Sequence, residues 1–385
     1  MKKILAIGAY ERDNFGDILF YHATKHYLSS AVDLVPASIL HKRQTSYFPE
    51  EVLTYGTLLN EQKWDAVILV GGEIGGINLE SALRMSLDEN IYNEYKELGK
   101  ENQKKVISVI TGGLSNVDQA YFPNLSNYTL NKDTPLFINS VGLSKINFNK
   151  KTVKVTKIIK NANIISVRDE DSQRHCINHG IKSIMAPDII HTIPFWHGTQ
   201  KQQTSNKKES PYILLQINTH NFNKHGVDAI KDQIIKIIER TGIRIYLFSA
   251  GTAFGHDSMA MYAKIVELLP EKYKPKIKII FERDPFKLVE YIQKAEIWIG
   301  SSLHGRIIAC SYNIPRIGLV NDKLSSYSSI WDNVYPFNIK INELSEQIVK
   351  ALDITKDVNS LKHTEELSFL AEKNILGIRD IINAL

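Results

Sequence analysis

The feature that most constrains this chain is a repeated alternation, in which short apolar runs are followed by longer stretches of helical periodicity. A short apolar run bounded by turn residues suits a strand buried on both faces, and an amphipathic stretch suits the helix that covers it. The alternation therefore predicts parallel α/β units. In the first half, strands are predicted at 3–8, 66–70, 106–110, 136–140, 164–167 and 183–185, with helices at 18–30, 91–98 and 171–178. Gly180 stands just past the last helix, where a stop belongs. The stretch 197–210 (HGTQKQQTSNKKES) contains no apolar residue and reads as a linker. A second series follows, with strands at 212–217, 243–248, 277–281, 297–299 and 316–319. Its helices fall at 227–240, 259–269, 285–295, 305–312 and 341–352. The tail carries Leu367, Leu370, Ile375, Ile378, Ile381 and Ile382 at helical spacing. Two α/β halves joined by a polar hinge predict a cleft between them, a usual place for ligands.

Length agrees with two domains: 385 residues exceed what one core usually serves. With 43% apolar and 23% charged residues the composition is that of an ordinary globular protein. The formal charge of +5 favours anionic substrates, or weak attraction to an anionic membrane surface. Lys and Arg are spread along the chain, so nucleic acid is not an expected partner. Two cysteines, Cys176 and Cys310, give neither a disulfide framework nor a cysteine metal site. His22, His26, His175, His179, His220 and His363 lack metal-like spacing, so no metal is expected. The start imitates a signal peptide, but its apolar run ends at Glu11-Arg12-Asp13, too early for a signal core. No apolar stretch approaches the roughly 18 residues of a membrane span. A cytoplasmic location is expected.

Several loops at predicted strand ends carry chemistry. The first strand runs into Asn14-Phe15-Gly16-Asp17 and a helix. The dinucleotide fingerprint is absent there, and the nearby carboxylates suit sugar hydroxyls better than phosphate. Asp17 as a helix cap is the structural alternative. The second strand ends in Gly71-Gly72-Glu73-Ile74-Gly75-Gly76, more glycine than a tight turn requires, which points to a loop shaped around a ligand or a neighbouring backbone. Thr111-Gly112-Gly113 is a weaker echo. Arg168, at a strand end, is placed to grip a carboxylate or phosphate.

The most informative stretch is Ile297 to Cys310, which reads as a buried strand, a small polar turn and an apolar helix. Ser301 and Ser302 are expected to cap the helix and leave free N–H groups at its positive end, an anion site. His304 falls in the first turn, where its proton is available for general acid catalysis. Gly255-His256-Asp257-Ser258 is either functional or a loop cap, and Lys323 is a candidate to neutralise phosphate.

On these residues the chain resembles the polysaccharide pyruvyl transferase family. The matching motifs are Asn14-x-Gly16-Asp17, Gly71-Gly72, Asn139-Ser140-Val141-Gly142 and Ile165-Ser166-Val167-Arg168-Asp169. Ala186-Pro187-Asp188, Ser301-Ser302-Leu303-His304-Gly305 and Asn313-Ile314-Pro315 follow, in order over residues 1 to 335. The resemblance implies two Rossmann-like domains facing across a cleft, as in GT-B enzymes: 1–196, on the acceptor side, and 211–355, on the donor side, with the linker 197–210 between them and a C-terminal helical segment at 356–385. It implies transfer of pyruvate from phosphoenolpyruvate, as donor substrate rather than cofactor, to a sugar diol as a ketal. The acceptor would be an exopolysaccharide or other cell-surface glycan, or its lipid-linked oligosaccharide precursor, reached by peripheral contact with the inner membrane face.

Carried over residue by residue, His304 is the acid. By the same resemblance Arg168 holds the donor; the loop readings above add Ser301, Ser302, Leu303, Gly305, Arg306 and Lys323 as expected donor residues, and Asn14, Gly16, Asp17, Gly71, Gly72 and Glu73 as expected acceptor residues. Many members have arginine where this chain has Ser302, and Arg306, one helical turn on, is the expected replacement. The stretch 106–132 is extra material that bears on acceptor choice. A GT-B glycosyltransferase using a nucleotide sugar is the alternative reading.

Overall fold

The computed structural model describes residues 1–28, 32–115, 119–143, 150–198, 210–354 and 358–385, without the side chains of 150–154, 358 and 359. The described chain forms two compact units, 1–189 with 370–385, and 190–369. Of the expected linker, residues 199–209 lie outside the described residues. The division by internal packing falls earlier, between Ile189 and Ile190.

In unit 1 the elements run β1 (Lys2–Ile7), α1 (Phe15–Leu28), β2 (Val32–Ser38), β3 (Leu53–Thr54), α2 (Tyr55–Glu61), β4 (Ala66–Leu69), β5 (Gly72–Glu73), α3 (Leu79–Ser86), α4 (Glu89–Glu97) and α5 (Lys100–Ile110). Then come β6 (Leu136–Gly142), α6 (Lys150–Lys160), β7 (Ile164–Val167), α7 (Glu170–Asn178) and β8 (Ile184–Met185). All strand pairings are parallel, in the order β3-β2-β1-β4-β6-β7-β8, with β5 continuing beside β6. The core strands are apolar on both faces: Ile4 to Ala6 and Ala66 to Leu69 are fully buried.

Three features of this unit differ from the sequence reading for physical reasons. Residues 106–110 form the last turns of α5, not a strand. Their apolar run follows the helix-forming Lys100 to Lys105, and only Ile107 is buried. Val106, Val109 and Ile110 instead line a cavity of about 600 Å³ with Leu40, Leu53 and Tyr95. β2 escapes the apolar pattern because Pro36 interrupts it. β3 pairs only Ala37 and Ser38, so one side of β2 carries no ladder at Pro36 and a missing N–H is tolerated there. The Gly112 echo is also packing: Gly112 has φ +67°, and a side chain there would collide with Thr54 and Thr57.

Unit 2 contains α8 (Ile193–Trp196), β9 (Tyr212–Leu215), α9 (Thr219–His225), α10 (Val227–Thr241), β10 (Arg244–Leu247), α11 (Met259–Leu268), β11 (Ile277–Ile279) and α12 (Pro285–Gln293). It continues with β12 (Ile297–Gly300), α13 (Leu303–Ser311), β13 (Arg316–Gly318), α14 (Asp322–Trp331), α15 (Leu344–Ile354) and α16 (Val358–Ala384). Its parallel sheet has the order β11-β10-β9-β12-β13, a Rossmann-like succession that reverses between β9 and β12. The 27-residue α16 begins in unit 2 and ends in unit 1. Cys176 and Cys310 are buried and free. No described helix is long and apolar enough to cross a membrane.

Candidate active site

In an open parallel sheet, the loops at the carboxyl ends of the two strands where the order reverses flank a crevice. In unit 1 these strands are β1 and β4. After β1, Asn14 Oδ1 accepts the Gly16 N–H at 3.2 Å, so Asn14, not Asp17, opens α1. Asp17 is 7% exposed, and its Oδ2 accepts from Arg12 Nε at 3.1 Å and Nη2 at 2.8 Å. Beside this pair the buried Glu11 carboxylate accepts from Tyr121 Oη at 2.6 Å, from Ser86 Oγ at 2.8 Å, and from Ser38 Oγ. Burial, reinforced by Glu11, pushes the Tyr121 hydroxyl well above its ordinary range, so it stays a donor.

After β4, Gly71 (φ +139°) has no room for a side chain, whose first carbon would lie 2.6 Å from the Phe20 ring. Gly72 (φ +93°) has room: a carbon there would come no nearer than 3.5 Å to anything and 3.8 Å to Asp17 Oδ1. The fold thus brings Asp17 and Gly72 together across the reversal point.

The remaining motifs of this unit meet along the same edge. Arg168, at the end of β7, is 1% exposed. Its Nη1 donates to Asp188 Oδ2 at 3.0 Å, and its Nη2 lies 3.6 Å from Glu73 Oε2. Two carboxylates thus face this one guanidinium, which argues against a grip by Arg168 on a phosphate. Asp169 caps α7 by accepting from the Ser172 N–H at 2.8 Å and Oγ at 2.6 Å. Burial raises its carboxyl above the ordinary range, opposed by Ser172 and reinforced by Glu73. β6 shifts register between Ile138 and Val141, and the buried Ser140 takes φ +46°. Ser140 Oγ donates to the Pro187 carbonyl at 3.0 Å, which ties the 139–142 and 186–188 motifs together. Gly142 leaves space that the Glu73 carboxylate fills.

In unit 2 the reversal lies between β9 and β12. Ser301 and Ser302 follow β12, and Ser302 is the cap of α13, its Oγ accepting the Gly305 N–H at 3.2 Å. His304 is 4% exposed in the first turn, between the buried Leu303 and Gly305. The expected free N–H groups are not free. Ser301 and Ser302 donate theirs to Gln216 Oε1 at 2.8 and 2.9 Å. Gly305 answers to packing: a side chain there would lie 2.6 Å from the buried Trp298 ring.

Arg306 is not a substitute for the missing arginine. It is 1% exposed, with Nε 2.8 Å from Asp332 Oδ2. Its Nη1 donates to the Pro336 carbonyl, and its Nη2 to those of Asp332 and Tyr335, each at 2.9 Å. Arg316 holds the same carboxylate in a fork, Nε at 2.7 Å and Nη2 at 2.5 Å. Burial pushes the Asp332 carboxyl up, but the two guanidiniums outweigh it and hold the carboxyl below its ordinary range. Lys323 stands half-buried in the first turn of α14. The α14 cap, Asn321, donates to the Ser301 carbonyl at 3.3 Å, so Lys323 belongs to the same sheet edge as His304.

Two partners escaped the sequence reading. Gln216 interrupts an apolar strand between Leu215 and Ile217, which was its one signal, and Asp332 had none. Among the described residues no three His, Cys, Asp or Glu side chains converge as metal ligands.

No curated protein gives a significant match to the chain. Among solved structures, the S. aureus MnaA–UDP co-structure superposes with TM-score 0.59 at 12% identity, over 100% of this chain and 98% of that one. UDP-GlcNAc 2-epimerase from Methanocaldococcus jannaschii gives 0.56 at 14% identity over all of both chains. The Neisseria meningitidis enzyme bound to UDP-GlcNAc gives 0.55 at 10%, over 99% of this chain and 98% of that one. At such identities the likeness establishes fold, two Rossmann-like domains of the GT-B type. The sequence model of polysaccharide pyruvyl transferases matches residues 14–323, from the Asn14 cap to Lys323. With that match spanning both sheet-edge sites, the chain belongs to the polysaccharide pyruvyl transferase family and is an enzyme of the transferase type.

Proposed function

We propose that the protein transfers pyruvate from phosphoenolpyruvate to two hydroxyls of a sugar, giving a ketal and inorganic phosphate. The observation that carries this reading is the placement of His304 in the first turn of α13, at the reversal point of a Rossmann-like sheet, within the family match. His304 gives a proton to the donor methylene, which becomes a methyl group as the central carbon turns electrophilic. One sugar hydroxyl oxygen bonds to that carbon, and its proton reloads His304. The second hydroxyl oxygen bonds to the same carbon as the C–O bond to phosphate breaks, and its proton leaves with the phosphate.

The positive end of α13 and Lys323 favour the donor's charge. Asp17, Gly72 and Glu73 hold the acceptor, where carboxylates suit hydroxyls and repel phosphate. Arg168 holds Glu73 and Asp188 in place rather than the donor. The acceptor is a surface glycan or its lipid-linked precursor, met at the cytoplasmic membrane face.

Replacement of His304 by alanine tests this. Phosphate release from phosphoenolpyruvate, dependent on acceptor, is expected to fall about 10²–10⁴-fold. Turnover near that of the unmodified protein would remove His304 from the mechanism. The fold is shared with nucleotide-sugar enzymes, so a thermal-shift comparison accompanies it. Stabilisation by nucleotide sugars without any by phosphoenolpyruvate would favour glycosyl transfer.

A further inference from the structure

Gln216 is 2% exposed and stands one residue beyond β9. Its Oε1 accepts three hydrogen bonds from the turn before α13: the N–H of Ser301 at 2.8 Å, the N–H of Ser302 at 2.9 Å and Ser301 Oγ at 3.3 Å. Its Nε2 donates to Asp257 Oδ1 at 2.6 Å. A carboxylate only accepts, so Asp257 dictates which end of the amide faces the turn. Asp257, 7% exposed, is fixed in its own right, with its Oδ2 accepting the Ala250 N–H at 2.6 Å and its own N–H donated to the Gly251 carbonyl at 3.1 Å. The loop that carries it is fastened to α9, where Thr219 donates from its N–H and its Oγ1 to the His256 carbonyl. Gly300 makes room for the arrangement, since a side chain there would lie 2.6 Å from Gln216 Oε1. This gives a use to the Gly255-His256-Asp257-Ser258 motif, which pyruvate transfer itself leaves unassigned.

We propose that Gln216 and Asp257 are positioning residues for His304. Asp257 orients the Gln216 amide, Gln216 fixes the two residues that precede α13, and the first turn carrying His304 therefore has a single starting point. The kinetic part of this proposal rests on the pyruvyl-transfer reading, whereas its structural part does not. A misplacement of about 1 Å in a reacting group costs on the order of 10²-fold in rate.

Three variants test it. Gln216→Glu keeps the acceptor toward the turn but sets a carboxylate against Asp257. Acceptor-dependent phosphate release is expected to lose about 10²-fold in kcat, with KM for phosphoenolpyruvate shifting less than about threefold. The double variant, which combines Gln216→Glu with Asp257→Asn, restores matched donors and acceptors. The amide introduced at position 257 would give its N–H to the carboxylate introduced at position 216 and keep its oxygen toward Ala250. Its kcat is expected to return to within about tenfold of the unmodified enzyme.

Amide exchange at Ser301 and Ser302, read by NMR, is expected to be slow in the unmodified protein, fast in the single variant and slow again in the double. That readout needs no turnover, so an unmodified protein that releases no phosphate would overturn the pyruvyl-transfer reading while the exchange still decides the network. Unchanged kcat and exchange in Gln216→Glu would overturn the proposal, as would a folded double variant no better than the single. Should Gln216→Glu not fold, Asp257→Asn alone carries the test. It frees the amide orientation at constant volume and is expected to speed the same exchange and lower kcat, and no change in either would overturn the proposal.

Discussion

At the scale of single residues, the fold decides which cations remain for chemistry. Arg306 is bound to Asp332 and to three carbonyl groups, so its loss acts on folding and not on donor affinity. Arg306→Ala leaves those buried acceptors unpaired and is expected to cost about 3–5 kcal/mol in denaturant unfolding, while KM for phosphoenolpyruvate stays near normal in whatever folds. A stable variant with a large rise in KM would return Arg306 to the donor site.

His191 shows the fold setting a protonation state. It is fully buried, with Nε2 3.0 Å from Tyr327 Oη, and burial lowers its pKa to about 3, opposed by Asp332 and reinforced by Arg316. The unfolded chain binds the proton near about pH 6.5, so between there and about 3 it holds a proton that the native state lacks. His191 therefore makes stability fall as pH drops through that window. Denaturant midpoints of His191→Gln are expected to fall less steeply below about pH 6.5, and parallel slopes would contradict this.

At the scale of elements, α13 is held beneath by Trp298, along its side by the Arg306–Asp332–Arg316 hub and at its start by Gln216. Gly305→Ala places a carbon 2.6 Å from the Trp298 ring and must move the first turn. Overpacking of this kind costs about 1–3 kcal/mol, and a lower melting temperature is expected together with reduced turnover. An unchanged melt would show that Trp298 yields without strain.

This element also shows what a sequence can disclose. Strand, serine cap and apolar helix are local signals, so the Ser301–Arg306 turn was legible. The partners that change its meaning are remote, Asp257 lying 41 residues from Gln216 and Asp332 26 from Arg306. No periodicity announces which distant polar group will take a cap's N–H. The C-terminal turns of α5 read as a strand because their apolar run is a local signal, whereas only Ile107 of it is buried in the fold.

At the scale of the whole molecule, motifs scattered from Asn14 to Lys323 fall at the carboxyl edges of two sheets, the Asp17 and Glu73 carboxylates on one and the histidine turn on the other. The chain finishes by returning α16 to unit 1, where Ile375, Ile378 and Ile382 are buried and Asn374 Nδ2 donates to Asn139 Oδ1 at 2.7 Å. Burial of each such side chain is worth about 1.5–3 kcal/mol against a total stability of about 5–15 kcal/mol. Removing residues 370–385 is expected to strip hydrogen-exchange protection from β1 and β4 ahead of β9 and β12, and unchanged protection in β1 would contradict that placement.

The central claim is the transfer itself, and its most direct measurement is the product. Incubation with phosphoenolpyruvate and a panel of lipid-linked sugars, read by mass spectrometry, is predicted to yield a pyruvate ketal with one phosphate released per ketal formed. Glycosyl addition from a nucleotide sugar, with no ketal on any acceptor, would contradict it.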